Sequence, residues 1–151
     1  MQNISVFLDT NVLVYAHDEF SLFHEKSALL LDLAIEKEIT GIISEQNVIE
    51  LYRVITNETA MSGRPLSPSE AKTLIEDTYL SGAFTIAYPT RDTLKKTIEI
   101  AARRRLSSAR IFDVRLYTVA QEQKPTYFVT YNAEDFRNFG DLAIKTPDEI
   151  L

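Results

Sequence analysis

The first apolar run, Ile4-Ser5-Val6-Phe7-Leu8, is rich in β-branched and aromatic side chains and reads as a buried central strand. It stops at Asp9-Thr10-Asn11, where a short helix is expected to start near Asn11. Apolar positions at helical spacing, Ala28, Leu29, Leu31, Leu33, Ala34 and Ile35, predict a helix over residues 23–37. Gly41 is expected to stop it and Ile42-Ile43-Ser44 to form a second strand. The next helix shows a core face of Val48, Leu51, Tyr52 and Ile55 and leaves Glu50 on a different face, directed across the strand ends. Met61-Ser62-Gly63-Arg64-Pro65 is a loop, and Ser67-Pro68-Ser69-Glu70 is a capping box with proline at the first helical position. Residues 84–87 predict a third strand, with Thr90 or Asp92 capping a helix that runs to about Arg105. A further helix is expected over residues 111–123, then a fourth strand at Tyr127-Phe128-Val129-Thr130 and a fifth over 142–144. Thr146-Pro147-Asp148-Glu149 opens a last helical turn.

Strands alternating with longer helical patterns predict an α/β fold with a mostly parallel central sheet of four to five strands flanked by helices. No repeat or linker divides the chain, so residues 1–151 are expected to form one domain, as the length suggests. With 45% hydrophobic and 25% charged residues, the chain has the composition of a globular protein that buries a core. No apolar stretch approaches the roughly 20 residues of a bilayer span, and the first residues lack the pattern of a secretory leader. The absence of cysteine excludes disulfides and thiolate metal ligands. A cytoplasmic location with no membrane partner is therefore expected.

The net charge of −6 disfavours an anionic partner, but the distribution reverses that reading locally. Residues 91–115 carry eight basic and three acidic side chains, net +5, and lead directly to Asp113. Arg105, Arg110 and Arg115 are the candidates within this stretch for contacting a phosphate backbone. The same cations would equally serve a solvated helix end.

The chemistry lies in four carboxylates. Asp9 follows a buried strand, Glu50 sits early in the helix after the second strand, Asp113 falls in the first turn of its helix, and Asp135 lies five residues past Thr130. In open parallel sheets ligands collect at the carboxyl ends of the strands, where Asp9 stands directly. Should the four converge, each like-charged pair about 4 Å apart costs on the order of 4 kcal/mol at an effective dielectric of about 20. A hard divalent cation with oxygen ligands relieves that repulsion. With no cysteine and two histidines in the chain, Mg²⁺ or Mn²⁺ is the expected cofactor. Phosphodiester hydrolysis is the chemistry such a centre serves best. Each acid also has a structural role open to it: Asp9 or Thr10 as a helix cap, Glu50 on a helix surface, Asp113 answering a helix dipole, and Asp135 in a loop.

Taken in order, Leu8-Asp9-Thr10-Asn11-Val12-Leu13, the stretch from Ser44 through Glu50-Leu51-Tyr52-Arg53-Val54, Asp113, and Val129-Thr130-Tyr131-Asn132-Ala133-Glu134-Asp135-Phe136 resemble the PIN-domain family. The resemblance is to the toxin ribonucleases of type II toxin-antitoxin pairs usually called VapC, and it covers nearly the whole chain. It implies a three-layer sandwich and a metal-dependent endoribonuclease. Asp9 and Asp113 would hold the ion, with Glu50 and Asp135 completing a catalytic set of four acids. Thr10, Asn11, Thr130 and Asn132 would form the hydrogen-bonding shell that fixes ligands and water. An RNA substrate, a small cognate antitoxin and homodimerisation are implied as well. The chain departs from the commoner pattern in two places: it lacks an alanine-rich run after Asp113, and Asn132 stands where some relatives carry an acid.

His17 and His24 have no partner at ligand spacing and are expected to be structural, while Tyr15 and Tyr131 are candidates to stack on a substrate base. Two other functions remain open. An aspartyl-phosphate phosphatase also places Asp after a first strand, although it needs a second acid where this chain has Asn11. A PIN-like module that binds RNA or protein without cutting is the non-enzymatic alternative.

Overall fold

The computed structural model describes residues 4–151, so the first three residues of the expected 1–151 span lie outside it. Five strands, β1 (Ser5–Leu8), β2 (Thr40–Ser44), β3 (Thr85–Ala87), β4 (Tyr127–Val129) and β5 (Ile144–Lys145), form one sheet. Their order is β3-β2-β1-β4-β5, and every neighbouring pair is parallel. Parallel neighbours need long crossovers, which helices supply here. The chain passes from β1 to β2 through α1 (Thr10–Ala16) and α2 (His24–Ile35), and from β2 to β3 through α3 (Glu45–Ile55) and α4 (Pro68–Thr78). Between β3 and β4 lie α5 (Arg91–Arg103) and α6 (Arg110–Gln123). The short α7 (Ala133–Phe136) joins β4 to β5, and α8 (Pro147–Ile150) follows.

Alternation along β1 divides the core into two layers. Val6 and Leu8 pack with Leu13, Leu30, Leu51 and Ile75 from α1 to α4, whereas Phe7 packs with Val114, Tyr117 and Phe136 from α6 and α7. All three strand residues are fully buried, which explains why β1 reads as a continuous apolar run. Phe7 stacks on Phe128 of β4 at 5.4 Å between ring centroids. Helices on both faces of a parallel sheet make the three-layer α/β architecture that the alternating pattern predicts.

Several local expectations are corrected. The second helix ends at Ile35, and its stop is Lys37 in the left-handed conformation at φ 65°, not Gly41. Gly41 lies within β2, where a Cβ would stand 2.7 Å from the Phe84 ring and 2.8 Å from Ala34. The glycine is required by close approach of the strand to its neighbours. Tyr52, expected in the core, is 39% exposed; Leu51 and Ile55 are buried as expected, and α3 also buries Gln46 and Asn47. Thr90, not Asp92, caps α5. The fifth strand begins at Ile144 rather than 142, and Asp135 belongs to α7 rather than to a loop.

The register prepares the site. Leu8 pairs with Val129, so Asp9 and Thr130 emerge side by side at the carboxyl ends of β1 and β4, and the Asp9 N–H donates to the Val129 carbonyl at 3.0 Å. The strand order turns outward in both directions from this pair, which opens a crevice at its carboxyl end.

Candidate active site

Asp9 is buried at the N-cap of α1. One carboxylate oxygen accepts the Thr10 N–H at 2.7 Å and the other the Thr130 hydroxyl at 2.8 Å. The Thr130 oxygen also accepts from the Asn11 side-chain amide at 3.3 Å and from the Asn132 N–H at 2.9 Å. Asn11 in turn accepts the Tyr131 N–H at 3.3 Å. On the opposite flank the Thr10 hydroxyl accepts from Asn47 Nδ2 at 3.0 Å, and Asn47 closes a reciprocal cap with Ser44 at the end of β2. The ends of β1, β2 and β4 are thus laced together around one carboxylate.

Beside it lies a cavity of about 330 Å³ whose walls include Asp9, Glu50, Asp113 and Asp135, together with Thr10, Asn11 and Asn132. Glu50 reaches it from α3, Asp113 from the first turn of α6, and Asp135 from α7. All four predicted acids therefore meet, although Asp113 and Asp135 are borne by helices on the other face of the sheet from α3. Arg110 stands at the rim. Its Nε pairs with Asp113 at 3.2 Å and its Nη2 donates to the Asp135 backbone carbonyl at 3.1 Å.

Burial above all pushes the Asp9 carboxyl up to about 6 from its ordinary 3.8, while the Thr130 and Thr10 hydrogen bonds pull it down and Glu50 and Asp113 push it further up. Asp113 is also raised, first by burial, with Arg110 opposing and Asp135 adding repulsion. Among the described residues no Lys or Arg pairs with the side chains of Asp9, Glu50 or Asp135. A buried acid short of positive charge, in a cavity carrying four carboxylates and neither sulfur nor imidazole, has the donor chemistry of a site for a hard divalent cation. Among the described residues no three His, Cys, Asp or Glu side chains close into a ready-made metal cage.

The remaining candidates take different positions. Arg105 is exposed beyond the end of α5 and does not line the cavity. Arg115 turns away from it, donating to Glu45 at 2.7 Å and to Gln46 at 2.6 Å. His17 bonds the Tyr79 hydroxyl at 2.6 Å and His24 the Tyr15 carbonyl at 2.9 Å, so both have structural partners. Tyr15 and Tyr131 pack edge to face with Phe23 beside them, and Tyr15 lines the cavity wall. Asn11 has its amide engaged by Thr130 and Tyr131, a scaffolding position rather than that of a second phosphatase acid.

Sequence reasoning missed Gln46 and Asn47, which are buried and carry hydrogen bonds into the site. The Ser44-Glu45-Gln46-Asn47 stretch has the form of a helix start, which marks Asn47 as a capping partner of Ser44, but nothing local foretells its bond to Thr10.

Comparison with known proteins bears on the family and the fold. Ribonuclease VapC24 of Mycobacterium tuberculosis (strain ATCC 25618 / H37Rv) is 27% identical over 141 residues, covering 93% of this chain and 94% of its own. The fold matches VapBC2 from Rickettsia felis, solved with a promoter DNA fragment, at a TM-score of 0.67 and 19% identity over 95% of this chain and 98% of that one. It also matches Mycobacterium tuberculosis VapC20, a sarcin-ricin loop cleaving toxin, at 0.65 and 13% identity over 86% and 92%. The model of the PIN domain matches residues 6–142, nearly the whole chain, and the protein belongs to the PIN-domain family.

Proposed function

We propose that this protein is a divalent-metal-dependent endoribonuclease, the toxin of a toxin-antitoxin pair acting in the cytoplasm. The observation that carries the reading is the convergence of Asp9, Glu50, Asp113 and Asp135, from four separate stretches of chain, on one cavity. The ribonuclease and toxin names of its relatives support the choice of RNA as substrate.

Asp9 and Asp113 would hold a Mg²⁺ or Mn²⁺ ion. Ions of this kind are commonly bound through one or two carboxylates plus water and substrate phosphate. When bound, the ion neutralises the acids and supplies Lewis acidity for phosphodiester hydrolysis. Glu50 and Asp135 orient the attacking water and take its proton. Thr130 fixes the Asp9 carboxylate through its hydroxyl, while Asn11 and the Asn132 N–H fix Thr130, so the acid enters the reaction already oriented. Thr10, anchored to Asn47, holds the start of α1 in place. Arg110 at the rim, and Arg105 beyond it, meet the substrate phosphates. A small antitoxin and a second copy of the chain are the proposed protein partners.

Purified protein incubated with RNA in Mg²⁺ or Mn²⁺ is expected to cut it and in EDTA to leave it intact. Cleavage that survives chelation, or survives Asp9→Asn and Asp113→Asn, overturns the metal mechanism.

A further inference from the structure

Gln46 occupies the first turn of α3, is buried, and lies outside the cavity walls. Every polar atom of its side chain is engaged. Its Oε1 accepts from Arg115 Nη1 at 2.6 Å, and its Nε2 donates to Glu50 Oε1 at 2.9 Å and to the Phe112 carbonyl at 3.1 Å. The other end of the Arg115 fork donates to Glu45 Oε1 at 2.7 Å.

These partners determine which way the amide faces. A guanidinium only donates, so Oε1 must face Arg115, and the two N–H groups are left for the Glu50 carboxylate and the Phe112 carbonyl, which only accept. The flipped amide would set oxygen against two acceptors and N–H against a cation. Arg115 therefore orients Gln46. Glu50 lies four residues further along the same face of α3, and Phe112 immediately precedes Asp113 in α6. One NH₂ group thus ties the carboxylate of one proposed catalytic acid to the backbone that carries another.

We propose that Gln46, oriented by Arg115, is the positioning residue that sets Glu50 against Asp113, and that Arg115 works through this amide rather than by touching RNA phosphate. The clamp is a property of the metal-free protein, and its kinetic consequence rests on the ribonuclease reading. Glu45 holds Arg115, Arg115 holds Gln46, and Gln46 holds Glu50. A methionine at position 46 keeps the length but removes the donor from Glu50 and from Phe112. A glutamate there sets a third acceptor against both.

The test compares Gln46→Met, Arg115→Met and the double variant by melting temperature and by steady-state RNA cleavage in Mn²⁺. Each single change is expected to lower kcat about tenfold with KM unchanged, the effect of losing one charge-assisted hydrogen bond. The double variant is expected to be no worse than Gln46→Met, and the Gln46→Met loss should vanish in a Glu50→Gln background. Arg115→Met that instead raises KM, flattens the salt dependence and adds to Gln46→Met overturns the proposal, because a phosphate contact behaves that way. Side-chain amide NMR of the metal-free protein tests the clamp without activity. The Gln46 NH₂ pair is expected to exchange slowly in the wild type and to become solvent-like in Arg115→Met. A solvent-like Gln46 amide in the wild type overturns the clamp. Should the wild type cut no RNA while this amide is protected, the ribonuclease reading fails and the clamp stands.

Discussion

Helix α1 carries a desolvated ionisable group at each end, Asp9 buried and His17 partly buried, and the protein treats the two oppositely. At its C-terminus His17 lies against the fully buried Tyr79, with the imidazole 2.6 Å from the phenol oxygen and the rings edge to face at 5.7 Å. Burial, and then the nearby His24, lowers His17 to about 4, while burial raises Tyr79. At neutral pH both are uncharged and each satisfies the other. At its N-terminus Asp9 is more deeply buried and has two hydrogen bonds, yet is pushed up only to about 6, so at neutral pH it carries its charge among three further acids. Buried polarity alone does not mark a functional site. Buried charge left uncompensated by the protein does, because it stores repulsion that a cation relieves.

The largest effect expected from breaking this contrast is on cleavage. Asp9→Asn and Asp113→Asn each remove a proposed ion ligand without changing side-chain size, and RNA cleavage in Mn²⁺ is expected to fall by about 10³-fold or more, as for the loss of a preorganised charge-stabilising group. The calorimetric heat of Mn²⁺ binding should vanish with it, and either variant retaining both would contradict the assignment.

Next comes stability, where the two ends of α1 have opposite signs. The raised Asp9 carboxyl contributes stability that is complete below its unfolded value of 3.8 and is lost as pH rises through about 6. The lowered His17 contributes stability that is complete above its unfolded value of 6.5 and is lost as pH falls through about 4. In metal-free wild type the two slopes oppose each other across most of this range. Asp9→Asn removes the Asp9 slope, so the variant should lose less stability than the wild type as pH rises through about 6 and exceed it by about 3 kcal/mol at alkaline pH in EDTA. Urea unfolding across a pH series measures this, and added Mn²⁺ should stabilise the wild type alone.

A smaller loss is expected at the satisfied end. Tyr79→Phe leaves the His17 ring nitrogen without its partner and should cost about 1 to 3 kcal/mol in the same unfolding assay, with RNA cleavage unchanged. Smallest of all is Arg110→Gln, whose pair with Asp113 is 44% and 37% exposed and should contribute under about 1 kcal/mol. Its expected signature is instead a higher KM for RNA and a shallower dependence on salt.

Much of the fold was legible in the sequence. The buried run at β1, the capping box at Ser67 and the helix expected over residues 111–123 follow from local preferences, and the structure has them within a residue of those places, the helix as Arg110–Gln123. Gly41 was misread because a glycine after a helix ordinarily signals a stop, whereas here the requirement comes from Phe84, distant in sequence. Tyr52 was misread because helical spacing identifies a face but not how far the neighbouring helix covers it. Among the candidate site residues, the position of Asp9 at a strand end was readable from the apolar run that precedes it. Arg115 was not: its position beside Asp113 suggested RNA, and its actual partners, Glu45 and Gln46, lie some 70 residues earlier in the chain.

The amino-acid order by itself determined the alternation of strands and helices and the succession of four acids, because periodicity and propensity act over a few residues. Only the tertiary structure decided that Asp113 and Asp135, carried by helices on one face of the sheet, meet Glu50 from a helix on the other. That meeting depends on the strand order β3-β2-β1-β4-β5 and on which helix covers which face, and both are settled by burial of the whole apolar surface rather than by any short stretch of chain.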